Sequence, residues 1–329
     1  MRIVVTDDRF SGCYEEERQI FPGAQLVISD CYSEDELIST CAGADGILLN
    51  QAPMTARVIK TLDNCKVISR YGIGYDNVDL TAAEEKGIWV TNVPGYCNEE
   101  VAEHALGLLL SCVRAIPEKD RAIREGRWNI NRPIRRMSGR VLGIVGFGET
   151  GRAFWEKIQG FAFSKILVAD PGGEIKLEEL RTKFKNDEWL FEKTKIVPFE
   201  QLLMVSDFIS LHVPLNETTR HFINSKTIAE MKEGAVIINT SRGAVVEEAA
   251  FAEALKTGRI AYAGLDVFEK EPLPKNHPFL SLPNVILTDH SAYYSAESVS
   301  ELKTRTARNA REVLEGRIPD TAVNKPIYR

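Results

Sequence analysis

Three polar residues in the second half of the chain each follow an apolar run. Arg242 follows Ala235–Asn239, Glu271 follows Ala263–Leu265, and His290 follows Val285–Leu287. Together these residue types could bind a carboxylate and move a proton to or from an oxygen. The planar fork of an arginine can grip a carboxylate and a ketone oxygen together, a geometry lysine lacks. A histidine titrates near neutrality, so it can protonate the ketone oxygen as hydride arrives or take that proton back. A glutamate beside it would pair with the ring, orient it and favour its charged form. Taken singly, each residue has a plainer reading: a solvated Arg-Gly turn, a Glu-Pro element boundary, a structural histidine. Their shared placement at strand ends argues for chemistry, because open α/β sheets bind ligands outside the carboxyl ends of their strands. His104, His212, His221 and His277 read as structural.

A second constellation names the hydride carrier. The run Val141-Leu-Gly-Ile-Val-Gly-Phe-Gly-Glu-Thr-Gly151 holds a GxGxxG pattern at Gly146, Gly148 and Gly151, between an apolar strand and a helix expected over Arg152–Gly160. In that context the first glycine makes the tight turn, the second admits the pyrophosphate and the third lets helix pack on strand. The helix N-terminus then offers N–H groups and a partial positive charge to the phosphates. The next strand ends in Asp170, 19 residues after Gly151, where an acid accepts hydrogen bonds from the adenosine ribose. A carboxylate there repels a 2′-phosphate and no arginine follows it directly, so NAD is expected over NADP.

The elements that must position these groups alternate along the chain. Strands are expected at Arg2–Thr6, Gln25–Ser29, Gly46–Leu49, Lys66–Ser69 and Ile88–Thr91, with helices near 14–20, 34–42, 54–61 and 80–86. That pattern is one complete parallel α/β domain. A long helix follows from Asn98 or Glu99 to about Ile116, with Asn98 as its cap and Pro117 ending it. The alternation restarts with strands at Val141–Gly146, Lys165–Asp170, Lys195–Val197, Phe208–His212, Ala235–Asn239, Tyr262–Asp266 and Val285–Leu287. The charged segment Gly172–Thr194 reads as partly helical with no chemical role. Ser295 to about Leu314 reads as an amphipathic helix that must return to a surface already built. The glycine loop thus comes after about 140 residues holding another α/β domain. A nucleotide domain inserted into a substrate domain explains that order.

Bulk properties agree with a two-domain enzyme. The 329 residues exceed one ordinary core, and 44% hydrophobic with 27% charged residues is a globular composition. The net charge of −6 argues against nucleic acid or an anionic membrane as partner. The longest apolar run, Ala105–Val113, is about half the ~20 residues a membrane span needs. The amino terminus reads as a first strand rather than a signal peptide, so a cytoplasmic location is expected. Six cysteines at 13, 31, 41, 65, 97 and 112 form no CxxC pair, so no metal and no disulfide framework is expected. They read as reduced, mostly buried thiols; the alternative is that Cys97, beside a candidate active-site turn, is exposed.

The ordered motifs carry a resemblance over nearly the whole chain. They are Tyr-Gly-Ile-Gly-Tyr-Asp-Asn-Val-Asp (71–79), Asn-Val-Pro (92–94), Val-Ala-Glu-His (101–104), the glycine loop, Leu-His-Val-Pro-Leu (211–215), Asn-Thr-Ser-Arg-Gly (239–243), Asp-Val-Phe-Glu-Lys-Glu-Pro (266–272) and the His290 turn. The sequence resembles the D-isomer-specific 2-hydroxyacid dehydrogenase family. The turn His-Ser-Ala-Tyr-Tyr-Ser (290–295) is similar to its C-terminal-binding-protein branch. The resemblance implies an α/β fold of two doubly wound parallel-sheet domains. A Rossmann NAD domain (99–292) is inserted into a flavodoxin-like substrate domain (1–98 and 293–329). It implies Arg242, Glu271 and His290 as catalytic residues, with the amides of Ile73 and Gly74 and the side chain of Arg242 on the substrate. For the cofactor it implies Gly146, Gly148, Glu149, Thr150, Gly151, Asp170, Val213, Pro214, Thr218, Thr240, Asp266 and His290. The function implied is NAD-dependent reduction of a small 2-keto acid, in a homodimer joined through the NAD domain with the 99–116 helix contributing. Glu271 argues against the formate dehydrogenase relatives, which carry Gln there. A short-form phosphoglycerate dehydrogenase is an alternative, no regulatory domain being expected after Arg329; an NAD-linked corepressor or sensor is another. Arg132, Arg135, Arg136 and Arg140 read as a solvated interdomain surface, or alternatively as a site for a phosphorylated or dicarboxylic substrate.

Overall fold

The computed structural model describes residues 1–128, 134–183 and 188–326. The chain divides into two compact units, Met1–Tyr96 with Ser295–Arg329, and Cys97–Tyr294. Each is built on an all-parallel sheet covered by helices on both faces, as two α/β layers require. Among the described residues no helix is long and apolar enough to cross a membrane.

The first unit holds strands β1 (Arg2–Val5), β2 (Gln25–Ile28), β3 (Gly46–Leu49), β4 (Val67–Arg70) and β5 (Trp89–Thr91), ordered β2-β1-β3-β4-β5. Alternate strand residues Val4, Ile47, Leu49, Ile68 and Val90 pack on Leu37, Val58, Ile59 and Ala83. The opposite face is closed by the helices Glu15–Ile20 and Ala296–Leu314, the latter lying on β3 and β4. There the buried Ser69 hydroxyl donates to Thr306 O at 2.8 Å. The chain beyond that helix covers the β5 edge: Ala322 bridges Thr91, and Asn324 Oδ1 accepts the Val90 amide at 2.8 Å. Covering the edge removes a free pairing surface.

The turn after β4, which carries Ile73 and Gly74, is held from several sides. The Tyr71 hydroxyl donates to Glu17 Oε1 at 2.8 Å within a buried cluster that includes Lys303, 2.5 Å from Glu16 Oε2. Asn92 Nδ2 donates to Ile73 O at 2.7 Å. A peptide unit is planar and trans, so anchoring this carbonyl turns the Gly74 N–H in the opposite direction.

The second unit holds β6 (Val141–Val145), β7 (Lys165–Ala169), β8 (Thr194–Ile196), β9 (Phe208–Leu211), β10 (Ala235–Asn239), β11 (Ile260–Leu265) and β12 (Val285–Leu287), ordered β12-β11-β10-β9-β6-β7-β8. Strand order reverses at β6, which pairs β7 on one side and β9 on the other. Leu142, Ile144 and Ile238 face a core with Leu108, Phe154 and Trp155. Their neighbours Val145, Ile209 and Ile237 face a second core with Leu202, Phe251 and Leu255. This two-sided burial is why the strands read as continuous apolar runs.

Three expectations are corrected. The long helix ends at Arg114, where Ala115 takes φ +50°, and a separate helix Ile116–Arg124 begins there with Pro117 in its first turn. Proline is favoured at that position because the amide it lacks would have no helical partner. Asn98 is not a cap but the first helical residue, and its side chain reaches Glu149 and Thr150. The helix after the glycine loop spans Glu149–Lys157, with one 3-10 turn at Ile158–Gly160. Cys97 is buried and Cys13 is the exposed thiol. The charged segment forms helices Gly173–Lys183 and Glu188–Lys193, residues 184–187 lying outside the described residues.

Candidate functional site

The glycine loop leaves β6 at the switch point of the second sheet. Gly146 has φ +88°, and a Cβ there would lie 2.5 Å from His212 O, at the end of β9. A Cβ on Gly151 would lie 2.3 Å from Gly146 O. Only glycine permits this double closure, which seats the helix Glu149–Lys157 hard against the loop. At Gly148 a Cβ would meet nothing within 4 Å, and no side chain caps the helix that starts there. The loop is therefore tight where chain meets chain and open where a phosphate would approach uncapped N–H groups. The side chains expected to help, Glu149 and Thr150, are tied to Asn98 at 3.0 and 3.4 Å. Val213 and Pro214 follow β9 directly, and Thr218 closes a turn by donating to Asn216 Oδ1 at 2.7 Å. Thr240, at the end of β10, has a buried hydroxyl that finds no hydrogen-bond partner among the described residues. An orphaned hydroxyl and an open glycine loop, both at carboxyl ends of strands in one sheet, fit a polar ligand such as a nicotinamide dinucleotide, which would supply the missing partner.

Asp170 closes the far side of the loop. Its Oδ2 accepts the Phe147 amide at 2.8 Å, and its Oδ1 accepts from the Gly172 amide at 2.8 Å and Lys176 Nζ at 2.7 Å. Burial alone would push this carboxyl up, but the Lys176 ammonium and the two amides hold it below its ordinary value.

The candidate trio Arg242, Glu271 and His290 follows β10, β11 and β12, which lie side by side. Asp266, 1% exposed at the end of β11, accepts from the Thr288 hydroxyl at 2.5 Å and from the Ser291 and Ala292 amides at 3.0 Å each. Its carbonyl accepts the His290 amide at 2.8 Å, and its own amide donates to Asn239 O at 3.0 Å. Held this way, His290 sits at φ +54°, a left-handed conformation that non-glycine residues rarely adopt. Its Nδ1 lies 2.6 Å from Glu271 Oε2, and Glu271 Oε1 accepts the Phe268 amide at 2.9 Å. An ionised carboxylate only accepts, so Nδ1 carries the proton and Nε2 is the nitrogen left to exchange one with a substrate. Arg242 reaches the same place because Gly243 follows it: a Cβ there would lie 1.8 Å from the Phe268 carbonyl carbon. Burial pushes the Glu271 carboxyl up, yet His290 first, then the Phe268 amide and the Arg242 charge, hold it below its usual range.

Several partners were not legible as such. Asp266, expected at the cofactor, has its carboxylate spent on the 288–292 turn. His104 Nε2 lies 2.9 Å from Thr288 Oγ1. The only hydroxyl proton of Thr288 goes to Asp266, so His104 is the donor to Thr288. Asn239 Nδ2 donates to Arg242 O at 3.0 Å, fixing the turn that presents the arginine. The available signal was a polar residue ending or following an otherwise apolar strand: Asn239, Asp266 and Thr288 all qualify. His212 hydrogen-bonds Ser210 through Nε2 at 2.8 Å, and desolvation of its ring pushes it down to about 3, a structural neutral imidazole. Of the arginine cluster, Arg135 donates to Gly234 O at 3.3 Å and Arg140 lies 3.5 Å from Asp207. Arg132 lies outside the described residues.

The lowered Glu271 carboxyl has a pH consequence. A carboxyl depressed in the folded state adds stability above its unfolded value, and that stability is lost as pH falls through the folded value. The Glu271–His290 pair is therefore intact at neutrality and lost only below the ordinary glutamate range. Glu271→Gln is expected to shrink the gap in denaturation midpoint between about pH 7 and about pH 3. An unchanged gap would show that the pair contributes nothing to folding.

Known proteins resemble this chain over most of its length. Residues 106–292 match the family described as "D-isomer specific 2-hydroxyacid dehydrogenase, NAD binding domain". A glyoxylate reductase of Korarchaeum cryptofilum is 39% identical over 302 residues, covering 89% of this chain and 86% of the relative. A hydroxypyruvate reductase of Thermotoga maritima is 39% identical over 276 residues, covering 83% and 85%. The crystal structure of D-lactate dehydrogenase from Aquifex aeolicus, complexed with NAD and lactic acid, superposes with a TM-score of 0.84 at 26% identity, covering 99% of this chain and 100% of that one. On its sequence, its two parallel-sheet domains and these matches, the chain belongs to the D-isomer-specific 2-hydroxyacid dehydrogenase family of NAD-dependent oxidoreductases.

Proposed function

We propose that this enzyme reduces small 2-keto acids of the glyoxylate and hydroxypyruvate class to D-2-hydroxy acids, with His290 as the proton donor. The observation that carries the reading is the 2.6 Å contact between His290 Nδ1 and Glu271 Oε2. It fixes the ring, commits Nδ1 to the carboxylate and leaves Nε2 for the substrate oxygen. NADH, when bound, supplies the hydride to C2. His290 gives its proton to the ketone oxygen in the same net step, and Glu271 stabilises the cation before transfer. Arg242 polarises the ketone and holds the carboxylate. The amides of Ile73 and Gly74 are assigned to the substrate carboxylate from the resemblance and the anchored Ile73 carbonyl. Gly146, Gly148, Gly151, Asp170 and Thr240 are assigned to the cofactor on the fit of the loop and the orphaned hydroxyl; Val213, Pro214 and Thr218 are assigned by their place after β9. The relatives' names support the substrate class.

Assembly as a homodimer through the NAD domain is part of the proposal. Ile116 and Ile123, on one helix, and Trp128 just beyond it are large apolar side chains left exposed. A second copy would cover them.

Activity is tested by oxidation of NADH, followed at the nicotinamide absorbance, with glyoxylate, hydroxypyruvate, pyruvate, 2-ketobutyrate and phosphohydroxypyruvate. Turnover is expected with the small unphosphorylated acids. Silence across the panel would remove the reductase reading, and preference for phosphohydroxypyruvate would make the enzyme a phosphoglycerate dehydrogenase. His290→Ala is expected to cut turnover about 10²–10⁴-fold while NADH affinity stays unchanged. Near-normal turnover would take His290 out of the mechanism. Sedimentation at micromolar protein is expected to give a dimer, and a monomer there refutes the assembly.

A further inference from the structure

Asp170 and Lys176 form an ion pair where sequence motif alone places a lone carboxylate. Lys176 stands in the first turn of the helix Gly173–Lys183, where a cation opposes the helix dipole. Local preference gives no reason for a lysine there. Its ammonium folds back over Gly172, whose Cα side is open enough that an added Cβ would lie 3.4 Å from Lys176 Cε, and reaches Asp170 Oδ1 at 2.7 Å. The carboxylate is largely covered while the ammonium stays reachable from solvent: side-chain exposures are 10% for Asp170 and 31% for Lys176.

We propose that Lys176 sets the cofactor preference of this enzyme by countering the charge of Asp170, so that the pocket accepts the 2′-phosphate of NADPH as well as the 2′-hydroxyl of NADH. The inference rests on the reading that Asp170 faces the adenosine ribose. A carboxylate alone accepts hydrogen bonds from a ribose diol and repels a phosphate dianion. A carboxylate with an ammonium 2.7 Å away keeps the first property and loses much of the second, because the phosphate meets a nearly neutral pair. An ammonium also has three N–H donors, and Asp170 uses one of them. Turning slightly, Lys176 can bond a phosphate oxygen without leaving Asp170. The depressed Asp170 carboxyl keeps the pair ionised at neutrality, so the neutralisation comes from Lys176 and not from protonation.

The test is direct binding of NADPH and NADH to the purified full-length enzyme, by calorimetry or nicotinamide fluorescence, for the parent, Lys176→Met, Lys176→Arg and Asp170→Asn. Lys176→Met is expected to raise the ratio of the NADPH to the NADH dissociation constant by about tenfold or more, with NADH binding changed less than about threefold. Lys176→Arg is expected to hold the ratio near that of the parent, which also shows that the helix tolerates substitution. Asp170→Asn is expected to lower the ratio about tenfold. If Asp170→Asn moves the ratio and Lys176→Met does not, or if Lys176→Met weakens both cofactors equally, the proposal is overturned while the Asp170 reading stands. If neither variant moves it, the placement of Asp170 at the ribose fails and takes the proposal with it.

Discussion

The buried carboxylate of Asp266 is the interaction on which the arrangement of the candidate site depends. It takes three hydrogen bonds from the turn that follows β12, and through its own backbone it holds His290 on one side and Asn239 on the other. A residue in the left-handed region costs about 1–2 kcal/mol. Each hydrogen bond to a charged group returns about 1.5–3 kcal/mol. The bonds to Asp266 therefore outweigh the strain at His290, and the ring is held out from the turn instead of relaxing into it. A buried anion would be costly if left bare, and here the same turn that needs bending supplies its donors.

Glycines do the complementary work by removing material. Gly243 lets the turn bearing Arg242 press onto the backbone of Phe268, which is how an arginine after β10 reaches the electrostatic neighbourhood of a glutamate after β11. Gly146 and Gly151 bring the glycine loop, its helix and the end of β9 into contact, while Gly148 alone keeps open space above it. The glycine loop and the turn bearing Arg242 thus share one device, close backbone approach at positions where any side chain would hold the elements apart.

Much of this was legible in the amino-acid sequence, and the reasons differ by feature. Strands were clear because parallel strands buried on both faces leave apolar runs such as Ala235–Ile238 and Phe208–Leu211. The trio was clear because three strand ends placed chemically matched residues after three such runs. Local chemistry misled where one residue type serves two purposes. Asn98 has the character of a helix cap but spends its amide on Glu149 and Thr150, and Pro117 starts a helix where a stop was expected. Partners brought together by folding were beyond reach. Nothing in spacing announces that Lys176 doubles back onto Asp170, or that His104 donates to Thr288 across 184 positions of sequence.

The closing of the first sheet has a consequence for how the molecule comes into being. The face of β4 is covered by a helix whose Thr306 lies 237 residues beyond Ser69, and the edge of β5 is completed only by Asn324. Contacts so distant in the chain are entropically late, and synthesis delivers them last. The second unit, contiguous from Cys97 to Tyr294, has all its strands in hand before the covering helix emerges. The half of the protein that is made first is therefore the half that finishes last. Until then its five strands must wait with one face bare, which makes that sheet the surface most in need of protection in a newborn chain.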